Sequence, residues 1–141
     1  METMVRMGEL AISDTPGDVL VSLGLGSCIG LALVDKRAGV AGLAHIVLPA
    51  LVDGMVERGA SRMFLQASLV GGASMFAGAA SNTLEVGSRN AVAVRELIAR
   101  RRVPVVAEAV GGSRGRTVRV DVTSGTVSAR EAGGTEEVLA A

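Results

Sequence analysis

Between residues 19 and 49 the chain runs through three β-biased stretches, VLVSLGLG, IGLALVD and VAGLAHIVLP, parted only by the Gly26-Ser27-Cys28 corner and by Lys36-Arg-Ala-Gly39. Runs of this length, rich in Val, Leu and Ile and bounded by glycine, read as strands, and their short spacing makes them neighbours. The second and third, joined by a turn containing Gly39, fit an antiparallel hairpin. Strands rise about 3.3 Å per residue, so a hairpin centred near Lys36 and Arg37 places Cys28 opposite His45.

The rest of the chain alternates strands with a few helices. Residues 5–12 read as a first strand, followed by a turn at Asp14-Thr-Pro-Gly17. Residues 51–57 have helical spacing, with Gly59 to end the helix, and 63–70 read as a buried strand running into Gly71-Gly72. Met63, Met75 and Phe76 are expected in the core. Ser88 and Asn90 are N-cap candidates for a helix over 91–101, with Pro104 beyond its end. A strand over 103–110 and a hairpin of 116–122 with 126–130, turning at Ser124-Gly125, complete the pattern. The expectation is an α/β single-domain sandwich over 1–141, with mixed β-sheets and flanking helices. Residues 131–141 read as a flexible tail with little to pack against.

Composition closes several doors. A chain of 141 residues can bury roughly 70% of its unfolded surface, so it needs no staple to fold. Cys28 and His45 are its only Cys and its only His, which excludes a structural zinc site and any internal disulfide. Fourteen basic against 14 acidic side chains, with Phe64 and Phe76 the only aromatics, provide neither the basic field nor the stacking platforms that nucleic acid requires. The uncharged stretches 19–34 and 63–84 are interrupted by Gly, Ser and Asn, so neither reads as the ~20 apolar residues of a membrane span. The first residues carry Glu2 and Glu9 and no apolar signal core, so the expected location is the cytoplasm, where the thiol stays reduced.

A free cysteine is among the most buried residue types, and a lone histidine in an apolar run is more often a satisfied core residue than a catalyst. The coincidence of the two across one hairpin points elsewhere. An imidazole beside a thiol can take its proton, and the resulting thiolate can attack an amide, ester or thioester carbonyl. The oxygen that becomes anionic needs N–H donors, which the backbone around Gly26, Ser27 and Cys28 can supply in a glycine-containing turn. A third group should orient the imidazole. Ser22, a hydroxyl among Val and Leu six residues before Cys28, is the first candidate, and Asp35 the nearest carboxylate, although the turn places it away from His45. The Gly111-Gly112-Ser-Arg-Gly115 loop lacks the Gly-Lys-Ser/Thr ending of a phosphate loop.

VSLGLGSCIGLALVDKRAGVAGLAHIVLP resembles the signature of the CheD family, chemoreceptor glutamine deamidases of bacterial and archaeal chemotaxis. SLVGGASMF, VGSRNAVAV and VPVVAEAVGGSRGRTVRVDVTSGTV resemble the family's later blocks in the same order, so the likeness spans about residues 7–130. It implies a CheD-like cysteine hydrolase that converts receptor glutamine side chains to glutamate with release of ammonia, through a thioester and without a metal or organic cofactor. Carried onto this chain, the nucleophile is Cys28, the base is His45, and Ser22 stands where the family typically has Thr. The implied partners are methyl-accepting chemotaxis receptors and, for some members, a CheC-type phosphatase; a non-catalytic regulatory module acting on that phosphatase is the alternative. Two departures stand out: the polar segment that follows His-x-x-Leu-Pro in the family is shortened after Pro49, and Ser68 occupies a position where many relatives have Lys.

Overall fold

The computed structural model describes residues 1–45, 48–73 and 81–141. Its elements in chain order are β1 (Glu2–Met4), β2 (Leu10–Ser13), β3 (Val19–Leu25), β4 (Ile29–Asp35), β5 (Val40–His45), α1 (Leu48–Glu57), β6 (Gln66–Gly71), α2 (Ser81–Arg100), β7 (Val105–Val110), β8 (Arg116–Asp121), β9 (Val127–Glu131) and β10 (Glu137–Ala140). The strands form two five-stranded sheets, the first ordered β1-β3-β8-β9-β10 and the second β2-β5-β4-β6-β7. Both are mixed: β1 runs parallel to β3 and β6 parallel to β7, with the remaining pairs antiparallel. The expected α/β sandwich with mixed sheets and flanking helices is what forms.

Side-chain alternation builds the layers. Ala32 and Val34 of β4, Ala41 and Leu43 of β5 and Val70 of β6 meet Leu20, Val118, Val120 and Val127 of the first sheet. The opposite face of the second sheet, carrying Leu31, Leu33, Ala44 and Leu69, packs against Leu51, Val52 and Met55 of α1 and Ile98 of α2. The second sheet is therefore the middle layer, and all seven residues of β4 are buried. A strand covered on both faces needs apolar residues at successive positions, which explains the unbroken run IGLALVD. Each fully buried Leu or Val contributes roughly 1.5–3 kcal/mol of transfer free energy.

Several sequence expectations are corrected. The segment read as one strand over 5–12 is strand only from Leu10 onward, in β2; residues 5–9, with Gly8 at φ +79°, connect it to β1, which precedes the segment and lies in the other sheet. VLVSLGLG is not a neighbour of IGLALVD: β3 lies in the first sheet and β4 in the second. Strand β6 starts at Gln66, leaving Met63 86% exposed rather than in the core; Met75 and Phe76 lie outside the described residues. Residues 131–141, read as a tail, carry β10, which pairs antiparallel with β9 at the edge of the first sheet.

The helices also differ from their sequence boundaries. Helix α1 begins at Leu48, with Pro49 in its first turn, where a missing N–H costs nothing. It ends as expected at Gly59, with φ +99°, Gly59 N donating to Val56 O (3.0 Å) and Ala60 N to Met55 O (3.0 Å), a Schellman closure. Helix α2 begins at Ser81, so Ser88 and Asn90 are internal residues rather than caps. Its end repeats the Schellman bonds, Arg102 N to Ala99 O (3.0 Å) and Val103 N to Ile98 O (3.3 Å), but with Arg102 in the left-handed position at φ 57°. An L side chain there costs about 1–2 kcal/mol. Arg102→Gly is accordingly expected to raise stability by about 1 kcal/mol, measured by denaturant unfolding.

Candidate active site

The Gly26-Ser27-Cys28 corner is the crossover that carries the chain from the first sheet to the second. It opens at the carboxyl ends of β3, β5 and β6 and the amino end of β4. Just before it, β3 holds a bulge: Ser22 pairs with Val118 and Leu25 with Arg116, so Leu23 and Gly24 together oppose Thr117, with Gly24 at φ +61°. The extra residue lets Ser22 and Leu25 both point into the space between the sheets, where a regular strand would alternate them. His45 closes β5 on the same face as Ala41 and Leu43 and so faces that space as well. Cys28 is half-buried in the corner between β3 and β4.

The expected side-by-side placement of Cys28 and His45 is displaced by two residues. The register sets His45 opposite Gly30 and Asp35 opposite Val40, so the turn comprises 36–39. Its centre is moved by the Asp35 carboxylate, which accepts the N–H groups of Arg37 (3.0 Å), Ala38 (3.1 Å) and Ser61 (2.8 Å). Asp35 is thereby committed at the far end of the hairpin from His45. Cys28 precedes Gly30 by two residues and lies diagonally from His45, the kind of separation that long side chains can still span.

His45 is 7% exposed, and neither Nδ1 nor Nε2 has a hydrogen-bond partner among the described residues. Burial alone holds its pKa below the ordinary value, leaving the ring neutral at neutral pH and able to accept a proton. Ser22 is fully buried and donates its hydroxyl proton to Val5 O at 2.7 Å. With the proton so committed, its oxygen can act toward an imidazole N–H only as an acceptor. Ser22 and His45 thus sit on strand faces turned toward the other sheet, with Cys28 in the crossover between the sheets, and among the described residues no hydrogen bond joins Ser22 or Cys28 to His45.

The depressed His45 pKa has a signed consequence. An unfolded chain, with an ordinary histidine pKa of about 6.5, takes up the proton before the folded state does, so stability is full above about pH 6.5 and declines as pH falls through that value. Thermal midpoints of the wild type should therefore drop more between about pH 7.5 and about pH 5.5 than those of His45→Gln. Equal slopes for both would show that the ring is not held neutral by burial.

Residues beyond Ser22, Gly26, Ser27, Cys28 and His45 hold the corner in place. Gly72 N donates to Cys28 O (3.0 Å) and Ala73 N to Gly26 O (2.9 Å). Gly71 has φ +116°, and a Cβ on it would fall 2.1 Å from Cys28 O. On α2, a Cβ at Gly87 would fall 2.4 Å from Gly72 O and 2.6 Å from Ala73 O, and three residues on, Asn90 Nδ2 donates to Ser27 O at 2.8 Å. The buried Arg116 guanidinium donates to Gly71 O (3.3 Å), Gly111 O (2.8 Å) and Glu131 Oε1 (3.1 Å), tying the glycine loop to the first sheet. The Gly71-Gly72 pair was the one visible signal for this framework. Among the described residues no three His, Cys, Asp or Glu side chains are grouped to hold a metal ion, and no helix is long and apolar enough to cross a membrane.

The structure is thus a three-layered α/β fold with its sole thiol at a sheet-to-sheet crossover and its sole imidazole buried at the end of β5. Residues 36–131 match the family model for CheD, chemotactic sensory transduction. A "Probable chemoreceptor glutamine deamidase CheD" of Symbiobacterium thermophilum is 39% identical, with 96% of this chain and 95% of that protein aligned. Proteins of the same printed name from Clostridium tetani and from Clostridium botulinum strain Alaska are 37% and 34% identical, each over 94% of this chain. A crystal structure of a Neisseria meningitidis protein of family DUF152 superposes with a TM-score of 0.44 at 12% identity, covering 79% of this chain and 58% of that one. The chain belongs to the CheD family.

Proposed function

We propose that the chain, acting as one catalytic unit in the cytoplasm, deamidates glutamine side chains of chemoreceptors. The near-full-length match to relatives named as probable chemoreceptor glutamine deamidases carries this reading. Cys28 is the nucleophile, His45 the proton carrier and Ser22 the group that orients the ring. His45, kept neutral by burial, takes the Cys28 proton; the sulfur then bonds to the carboxamide carbon, and the carbonyl oxygen becomes anionic. His45 returns the proton to the departing nitrogen as the C–N bond breaks, releasing ammonia. Water deprotonated by His45 then attacks the thioester, and the product is glutamate with the Cys28 thiol restored. The N–H groups of Ser27 and Cys28, which donate no hydrogen bond among the described residues, are the donors for the anionic oxygen, with Gly26 giving the corner its turn.

The test is mass spectrometry of a chemoreceptor cytoplasmic fragment incubated with the protein. The expected result is the mass gain of glutamine-to-glutamate conversion at defined positions. No gain, under conditions where an established family member produces one, would overturn the reading.

One observation favours a second reading, a regulatory module that binds a CheC-type phosphatase. The alignment to the Symbiobacterium relative runs over 157 positions, more than the 141 residues of this chain, so that relative carries residues this chain lacks. The regulatory reading predicts phosphatase stimulation that survives loss of the thiol.

A further inference from the structure

We propose that Asn90 is a positioning residue for catalysis: it fixes the peptide that joins Ser27 to the nucleophile, so that the Cys28 N–H is aimed at the developing oxyanion. The inference rests on the deamidase reading and adds to it a residue outside the thiol, imidazole and hydroxyl.

The geometry points to Asn90 in three steps. Its Nδ2 donates to Ser27 O at 2.8 Å across 63 residues of sequence, from the middle of α2. In a trans peptide the C=O and the following N–H project to opposite sides, so anchoring Ser27 O on the α2 side turns the Cys28 N–H away from that helix. Neighbouring carbonyls are anchored independently, Gly26 O by Ala73 N and Cys28 O by Gly72 N, which leaves the Ser27-Cys28 peptide as the one in the corner held by a side chain among the described residues. The approach of α2 is itself built for the purpose. Gly87, one turn before Asn90, packs so closely on Gly72 and Ala73 that a Cβ would collide with their carbonyl oxygens, and this contact sets the depth from which Asn90 reaches the corner. An internal helical Asn is mildly unfavourable by propensity, a cost that its bond to Ser27 O offsets.

The inference separates two reactions of the same thiol. Deamidation passes through an oxyanion and needs the aimed N–H; alkylation by iodoacetamide displaces iodide at a saturated carbon and forms none. Removing one oxyanion donor from a hydrolase lowers turnover by about 10²–10³-fold.

The experiment compares wild type, Asn90→Asp and Asn90→Ala in steady-state deamidation of a receptor fragment, in iodoacetamide labelling of Cys28, and in thermal unfolding. Asn90→Asp keeps the shape but presents an acceptor to Ser27 O; Asn90→Ala removes the donor without adding charge, and decides the matter if the Asp variant does not fold. The expected result is a loss of kcat of about 10²-fold with KM within about twofold and a labelling rate within about twofold of wild type. Deamidation that persists within about threefold in the folded variants would overturn the proposal, as would labelling and deamidation falling together, which is the mark of a general distortion. A wild type that labels but never deamidates would instead refute the functional reading, and this inference with it.

Discussion

Cys28→Ala is expected to abolish deamidation, lowering kcat by about 10⁴-fold or more, while changing unfolding free energy by less than about 1 kcal/mol. The proposed mechanism requires a covalent bond to sulfur, and the chain has no second thiol to take over. The fold, in contrast, asks little of this side chain. Cys28 is half-buried and absent from both apolar cores, and its backbone carbonyl, not its sulfur, holds the neighbouring loop through Gly72. Parallel measurement of receptor-fragment turnover and denaturant unfolding checks both halves. Turnover that survived the substitution would show that water attacks the carboxamide directly; a large loss of stability would return Cys28 to the role of a packing residue. Phosphatase stimulation measured on the same variant tests the regulatory reading.

Gly71→Ala carries the largest expected effect on stability, a loss of roughly 3 kcal/mol or more. Two costs combine. At φ +116° an L side chain is strained, and the new Cβ would stand 2.1 Å from Cys28 O, a backbone atom that cannot rotate aside. Gly111→Ala separates the two, because its φ is +86° with nothing within 4 Å of the added Cβ, so it should lose only the conformational part, about 1–2 kcal/mol. Any Gly71→Ala protein that folds must push the Gly26-Ser27-Cys28 corner away from the glycine loop, and its rate of Cys28 alkylation is expected to fall as well. Chemical unfolding of the pair decides the matter; equal losses at Gly71 and Gly111 would mean that the corner yields freely.

The parts of this fold that could be read from sequence are those set by neighbours along the chain. The β4–β5 hairpin follows from two apolar runs and Gly39, and the β8–β9 hairpin from Gly125 in the same way. Its register did not follow, because the Asp35 carboxylate captures backbone N–H groups and moves the turn. A Gly-Ser-Cys corner looks alike whether it closes a hairpin or crosses between sheets, and only the pairing of β3 with β8, nearly a hundred residues away in sequence, decides between them. The same limit applies to the site. Cys28, His45 and Ser22 were conspicuous as a lone thiol, a lone imidazole and a hydroxyl in an apolar run. Gly87, Asn90 and Arg116 were not visible as supports, because their partners lie on loops distant in sequence. Asn90 looked like a helix cap since Asn favours caps, and its real use depends on where α2 packs.

Strand β4 begins one residue after Cys28 and is covered on one face by the first sheet and on the other by the helices. Its amides are therefore placed to exchange with solvent only when the whole molecule opens, whereas the short edge strands β1 and β10 can fray at little cost. The anchor of Cys28 thus belongs to the last part of the protein to come apart. Mild heat or denaturant would loosen the rims of the first sheet well before it disturbs the spacing of sulfur, imidazole and backbone N–H, so reactivity at the thiol should outlast the first signs of melting.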